Sequence, residues 1–158
     1  MTTTAVTEDS VLAEINIAAP PERVFQAITR PEEMMRWFSS PDCPAKLWEM
    51  DARKGGRWRF ASAAAAKPMN GVIEFRSGGE ILEIDPPRLL VYSWHANWHD
   101  DPSLPAVVRW ELQPTKNGTH VKVIHSNLAS EKQARGDYAG GWVGVLNSLK
   151  TFTEQLSK

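Results

Sequence analysis

Six residues near the C-terminal end, Tyr138, Trp142, Val145, Leu149, Phe152 and Leu156, are spaced 4, 3, 4, 3 and 4 apart. That is the repeat of one helix face. It predicts a single helix over 137–157, roughly 31 Å long at the usual rise per residue. A helix with one apolar stripe must bury it against another element. Gly140, Gly141 and Gly144 lie inside it. Each weakens a helix by up to about 1 kcal/mol relative to Ala. Close backbone approach, or a gap left for a bound molecule, is the expected compensation.

Almost everything upstream alternates with a period of two, the mark of half-buried strands. Val11–Ile17 reads as a strand. Pro20-Pro21-Glu22 opens a helix carrying Val24, Phe25 and Ile28, and Pro31-Glu32-Glu33 restarts a second one through Trp37 and Phe38. From Leu47 the chain returns to strands. Trp58 and Phe60 alternate with Arg57 and Arg59 after a Gly55-Gly56 turn. Gly71–Arg76 is expected as a strand with Ile73 and Phe75 on one face. Gly78-Gly79 is expected to turn the chain into Glu80–Asp85, and Pro86-Pro87 to turn it into Leu89–His95. Ala106–Gln113 and Thr119–Leu128 flank Asn117-Gly118, a strong hairpin signal. The expected class is α+β, a helix-grip arrangement. A curved antiparallel β-sheet wraps around the long C-terminal helix, with two short helices after the first strand. Residues 1–10, Thr-rich and polar, are expected to be a disordered tail, and 11–158 a single domain.

Composition narrows the function classes. The 158 residues suffice for one core without staples. Lys and Arg total 18 against 19 Asp and Glu, so no basic field draws in nucleic acid. No apolar run is long enough to span a membrane. MTTTAVTEDS has no basic segment followed by an apolar one, so no secretory leader is expected and the cytoplasm is the expected location. The single cysteine, Cys43, sits in a Pro41–Pro44 turn with no paired base and is expected to be a plain loop residue.

Four segments carry a family likeness: Ala19–Glu32 with Trp37-Phe38, Asp51–Phe60, Gly79–Trp94, and Gly141-Trp142 followed by Leu146 and Leu149. In this order they resemble the helix-grip superfamily of START lipid-transfer domains, birch-pollen-allergen-like proteins and polyketide cyclases. Within it, the resemblance is to the family named after the activator of the 90-kDa heat-shock protein ATPase. The resemblance implies a cavity between the long helix and the sheet. It does not imply a cochaperone. The eukaryotic activator has an additional N-terminal domain, with no counterpart expected in the polar residues before the first strand.

The residues that could carry chemistry are few. His95 and His99 are four apart, but they straddle a strand end and a polar loop without a third ligand. A solvated loop is expected there, and no metal. Arg53, Lys54, Arg57 and Arg59 read as a solvated strand face, and Arg109 with Glu111 as an exposed cross-strand charge set. No Ser-His-Asp order, phosphate loop or dinucleotide fingerprint occurs, so no catalytic residue and no cofactor is expected. His125 shares parity with Val121 and Val123. It is either a satisfied structural histidine or a polar anchor for a ligand carboxylate or carbonyl, or an acid or base.

The seven Trp residues are the outlier. Trp58, Trp94, Trp110 and Trp142 fall on the inner side of their elements. With Phe60, Phe75, His125, Val145 and Leu149 they form the candidate ligand-binding set. A cavity of about 300–1,000 Å³ is expected among them. The expected function is binding of a small hydrophobic or aromatic molecule. Two alternatives stay open: a cavity enzyme of the cyclase, dehydratase or hydrolase type, and a chaperone-associated module with a protein partner. Monomer and homodimer both fit.

Overall fold

The computed structural model describes residues 2–156. In chain order the elements are β1 (Thr3–Val6), β2 (Val11–Ile17), α1 (Pro21–Thr29), α2 (Pro31–Trp37), β3 (Ala45–Met50), β4 (Arg57–Ser62), β5 (Arg76–Asp85), β6 (Leu89–Ala96), β7 (Ala106–Thr115), β8 (Gly118–Ser126) and α3 (Lys132–Leu156). The strands form one antiparallel sheet in the order β1-β2-β8-β7-β6-β5-β4-β3. This is the expected α+β helix-grip fold.

Local signals explain the helices. Pro21 and Pro31 each take a first-turn position, where a missing N–H costs nothing, and Glu22, Glu32 and Glu33 sit at the positive dipole ends. Arg30 ends α1 and caps α2 in extended geometry, so the two helices meet at a sharp corner. The Trp37 indole donates to the Ala27 carbonyl at 2.9 Å and fixes that corner. The Ser148 hydroxyl donates to the Trp37 carbonyl at 2.6 Å, tying α3 to α2.

Helix α3 is one piece, as its stripe requires, but it starts at Lys132 rather than 137. Ala134, Tyr138, Trp142, Leu146 and Leu149 are its buried apolar line, while Val145 and Phe152 are half-buried. Arg23 and Arg36 stack over the Phe152 ring, 5.4 and 5.3 Å from its centre. Ser157 and the Leu156 side chain lie outside the described residues.

Several expectations need correction. The polar tail over 1–10 is in part a strand. Thr3–Val6 pairs with β2, and Thr2 donates its hydroxyl to the Asn147 amide oxygen at 2.5 Å. All four residues of β1 are exposed on both faces, so no alternation marks it in the sequence. Met1 lies outside the described residues. The strand expected over Gly71–Arg76 begins only at Arg76, because Met69 and Val72 close a tight bridge of their own. Gly78-Gly79 is no turn. Both lie inside β5, Gly79 opposite Trp58 of β4. A Cβ on Gly79 would sit 2.0 Å from the Ser93 carbonyl oxygen of β6, so the pair allows close strand approach rather than reversal.

The glycines of α3 give a fourth correction. Gly140, Gly141 and Gly144 face outward, and a Cβ on any of them would meet nothing within 4 Å. Close backbone approach does not explain them.

Candidate functional site

The inward residues of five elements meet under the N-terminal half of α3. On β8, Val121, Val123 and His125 are all fully buried, as their shared parity requires. His125 stands opposite Val108 on β7 and Val11 on β2. Trp58 and Phe60 point inward from β4 while Arg57 and Arg59 point out. Arg59 pairs with Glu49 and Arg53 with Asp51, so the basic cluster is a solvated face with two of its four cations paired. Arg109 pairs with Glu111 on the outer face of β7.

The inward rings touch in an unbroken chain. It runs from Phe38 to Trp48 and Phe60 at 5.1 and 5.4 Å between ring centres, and from Trp48 to Trp58 at 5.8 Å. Trp58 meets Tyr92 and Trp94, each at 5.0 Å. Trp94 meets His125 at 5.1 Å, Tyr138 at 6.1 Å and Trp142 at 6.4 Å, and Trp142 meets Trp110 at 5.6 Å. Edge-on and tilted contacts predominate, the geometry that ring quadrupoles favour. Phe75 packs edge-on against Trp98 at 5.2 Å, at the far end of the cluster. The structure thus gathers Trp58, Phe60, Phe75, Trp94, Trp110, His125 and Trp142. Val145 is only half-buried, and Leu149 is fully buried further along α3.

Indole hydrogen bonds set the polar pattern. Trp58 donates to the Ser93 carbonyl at 2.9 Å, Trp110 to the Tyr92 hydroxyl at 3.0 Å and Trp142 to His125 Nδ1 at 3.1 Å. An indole N–H can only donate, so His125 Nδ1 accepts and its proton sits on Nε2. That Nε2–H is fully buried and has no partner. Burial, aided by the nearby His99, pushes the His125 pKa down to about 3, so the ring is neutral.

A second group adjoins it. Trp98 donates to the Tyr138 hydroxyl at 3.0 Å, and that hydroxyl lies 2.6 Å from His99 Nε2. The assignment leaving fewest buried groups unpaired has Tyr138 donating to Nε2 and the His99 proton on Nδ1. His99 Nδ1 has no partner. Burial raises the Tyr138 phenol well above its ordinary range and lowers the His99 imidazole. The Glu131 carboxylate opposes the fall at His99. Glu131 is itself buried and accepts the backbone N–H of Asp100 and Asp101 at 2.6 and 2.9 Å. It stands just before α3 and ties that helix to the 97–101 loop. The Trp94 N–H lies near enough to the Tyr138 oxygen to act on the phenol as a hydrogen-bond donor, opposing the rise in its pKa, but it is not aligned to form the bond and stays without a partner.

The solvated loop expected at His99 is therefore wrong for that residue, which is 4% exposed. His95 behaves closer to expectation: it is half-buried, with Nδ1 on the Pro102 carbonyl at 2.8 Å. Among the described residues no group of three or more His, Cys, Asp or Glu is placed to hold a metal ion. Cys43 is half-buried and burial raises its thiol pKa, the opposite of an activated nucleophile. Among the described residues no helix is long and apolar enough to cross a membrane.

Two hollows open at the surface, one of them reaching the edge of the ring cluster at Trp58. One of about 460 Å³ is an open groove along Glu49, Met50, Asp51, Arg57, Trp58 and Arg59. The other, about 390 Å³, lies between Ala18–Pro21 and the β7–β8 hairpin. Under α3, where a cavity was expected, the Tyr138 and Trp142 rings pack against the sheet's own aromatics.

The sequence matches the family described as Activator of Hsp90 ATPase homolog 1-like protein over residues 18–154. The chain belongs to this family. No curated protein matches it. Solved structures share the fold. A Rhodobacter sphaeroides protein has a TM-score of 0.76 at 18% identity, covering 99% of this chain and 97% of its own. An AHSA1-like protein from Aeromonas hydrophila reaches 0.71 at 24% identity, covering 93% of each chain. CalU16 from Micromonospora echinospora reaches 0.69 at 23% identity, covering 97% of this chain and 86% of its own. The AHSA1 family is consistent with the helix-grip superfamily that the four sequence segments resemble.

Proposed function

We propose that this domain binds a small hydrophobic or aromatic molecule between the N-terminal half of α3 and strands β6–β8. One observation carries the reading. In a centre otherwise built of packed rings, the Trp94 and His125 N–H donors are buried without acceptors. Each such group costs about 1–3 kcal/mol, and native structures hold few of them without a bound partner to explain them. Room for the molecule comes from movement of Tyr138 and Trp142. They stand on the stretch of α3 that holds Gly136, Gly140, Gly141 and Gly144, where an added Cβ would meet nothing within 4 Å. A helix segment so poor in propensity and outer contacts is the element that yields at least cost.

Native mass spectrometry of the purified protein, followed by tryptophan fluorescence with fatty acids, aromatics and polyketide-like compounds, tests this. A co-purified or added compound held one-to-one, with altered fluorescence and raised Tm, is expected. No adduct and no shift across the panel would overturn it.

A second reading has its own observation, the buried Tyr138–His99 hydrogen bond. A neutral phenol donating to a neutral imidazole is an acid–base pair that a cavity enzyme could use. Turnover of a bound compound that is lost in Tyr138→Phe would move this reading ahead. The interaction-module alternative has less support. The exposed large apolar residues Val6, Met35, Ile73, Leu82 and Leu104 lie on separate segments of the chain.

A further inference from the structure

Resting on the ligand-binding reading above, we propose that the bound molecule is uncharged and presents a carbonyl-type oxygen to the Trp94 Nε1–H and the His125 Nε2–H. Both groups are donors only in this setting. An indole N–H never accepts, and the second nitrogen of His125 is already occupied by the Trp142 indole. The missing partner is therefore an acceptor, and a purely hydrocarbon ligand would leave both donors as they are. The rings that hold these donors are direct neighbours, 5.1 Å apart between centres, so both donors belong to the same part of the ring cluster.

Charge decides between a carbonyl and a carboxylate. Among the described residues no Lys or Arg is buried. Among the same residues the one buried carboxylate, Glu131, acts on both His99 and Tyr138, the neighbours of these donors. A ligand carboxylate would enter a region with no cation to pair it and an anion already present. Burying an unpaired charge is far more costly than burying a neutral acceptor that receives hydrogen bonds. The aromatic walls complete the class: aromatic or alicyclic ketones, aldehydes, esters, amides and quinones.

The test is a matched set titrated calorimetrically into the full chain at pH 7. It comprises 2-acetylnaphthalene, 2-ethylnaphthalene and 2-naphthoate, with acetophenone, ethylbenzene and benzoate as smaller counterparts. The ketone of one size is expected to bind roughly tenfold or more tightly than its hydrocarbon and its carboxylate. Its carbonyl stretch is expected to move to lower frequency when bound. Trp94→Phe keeps a ring and strands no partner, and is expected to abolish most of that preference while leaving hydrocarbon affinity within a factor of about two. His125→Gln retains an N–H donor and is expected to keep part of the preference. Equal binding of ketone and hydrocarbon would overturn the acceptor inference and leave the binding reading standing. Tightest binding by the carboxylate would overturn the uncharged class alone. Failure of all six compounds to bind would overturn the acceptor inference, while the binding reading is decided by the native mass spectrometry and the wider panel above.

Discussion

The Trp142 indole on α3 donates to His125 Nδ1 on β8 at 3.1 Å, inside a wall of rings and out of reach of water. This bond joins the long helix to the middle of the sheet and fixes which nitrogen of His125 carries its proton. Trp142→Phe deletes the donor and leaves a buried Nδ1 without a partner. A loss of about 1–3 kcal/mol is expected for the stranded acceptor, with a further contribution from the smaller ring. Urea denaturation at pH 7 measures it; an unchanged midpoint would mean that the bond contributes nothing net.

His125 also ties stability to pH. Its folded pKa of about 3 lies below the ordinary 6.5. The unfolded chain therefore binds the proton more readily than the folded one. The stability contributed by the neutral, buried ring is full above about pH 6.5 and is lost as pH falls toward 3, at roughly 1.4 kcal/mol per pH unit at most. His99, also lowered by burial, acts in the same direction. Denaturation midpoints at pH 7, 5.5 and 4.5 are expected to fall steeply in the parent and less steeply in His125→Phe. Equal slopes would remove His125 as the responsible group.

The glycines of α3 make a simple prediction. Gly144 is exposed, and a Cβ there meets nothing within 4 Å. Gly144→Ala is expected to stabilise the domain by about 0.4–1 kcal/mol through helix propensity and a less flexible unfolded chain. If the loose half of α3 is what admits a ligand, the same change slows association. Thermal melts and stopped-flow fluorescence read the two effects separately.

Glu131 places both carboxylate oxygens on the N–H groups of Asp100 and Asp101. Glu131→Gln keeps one acceptor and turns an NH2 group toward the other N–H. Faster hydrogen exchange is expected at 100 and 101, spreading to Trp98 and His99, while β2 and β8 keep their protection. Unchanged exchange in that loop would show that Tyr138 and Trp98 hold it unaided.

How much of this was legible depended on periodicity. The α3 stripe and the alternation of β4, β7 and β8 placed Trp58, Trp110, His125 and Trp142 on the inner side, because parity alone decides which way a strand residue points. Strand β1 left no trace, since both of its faces meet solvent. Gly78-Gly79 looked like a turn because only the sheet reveals the Ser93 carbonyl pressed against Gly79. His99, Trp98 and Glu131 lie in or beside loops, where burial follows from packing against α3 and no local pattern records it. Tyr138 showed as an apolar stripe member, while its hydroxyl, which joins Trp98 to His99, did not. The packing of Tyr138 and Trp142 on the rings of the sheet was equally hidden. Parity says that rings point inward but not that Tyr138 and Trp142 fit among those of the sheet.

Trp58 and Trp94 offer the cleanest comparison within the ring cluster. They are neighbours at 5.0 Å, are 1% and 6% exposed, and each is walled by other aromatics. They differ in one respect. The Trp58 N–H donates to the Ser93 carbonyl, and the Trp94 N–H has no partner. Replacement by Phe removes similar apolar area at both sites, so the packing losses largely cancel between the two variants. At 58 the change also breaks a hydrogen bond and leaves a carbonyl exposed to an apolar ring. At 94 it relieves a donor that has nothing to bond. In ligand-free protein Trp58→Phe is therefore expected to cost about 1–3 kcal/mol more than Trp94→Phe. With a ketone bound, the order of cost is expected to narrow, because the Trp94 donor then has an acceptor to lose. Urea midpoints of both variants with and without 2-acetylnaphthalene measure the difference. Equal costs in the ligand-free protein would show that the Trp94 N–H is already satisfied, and would remove the observation on which the binding reading rests.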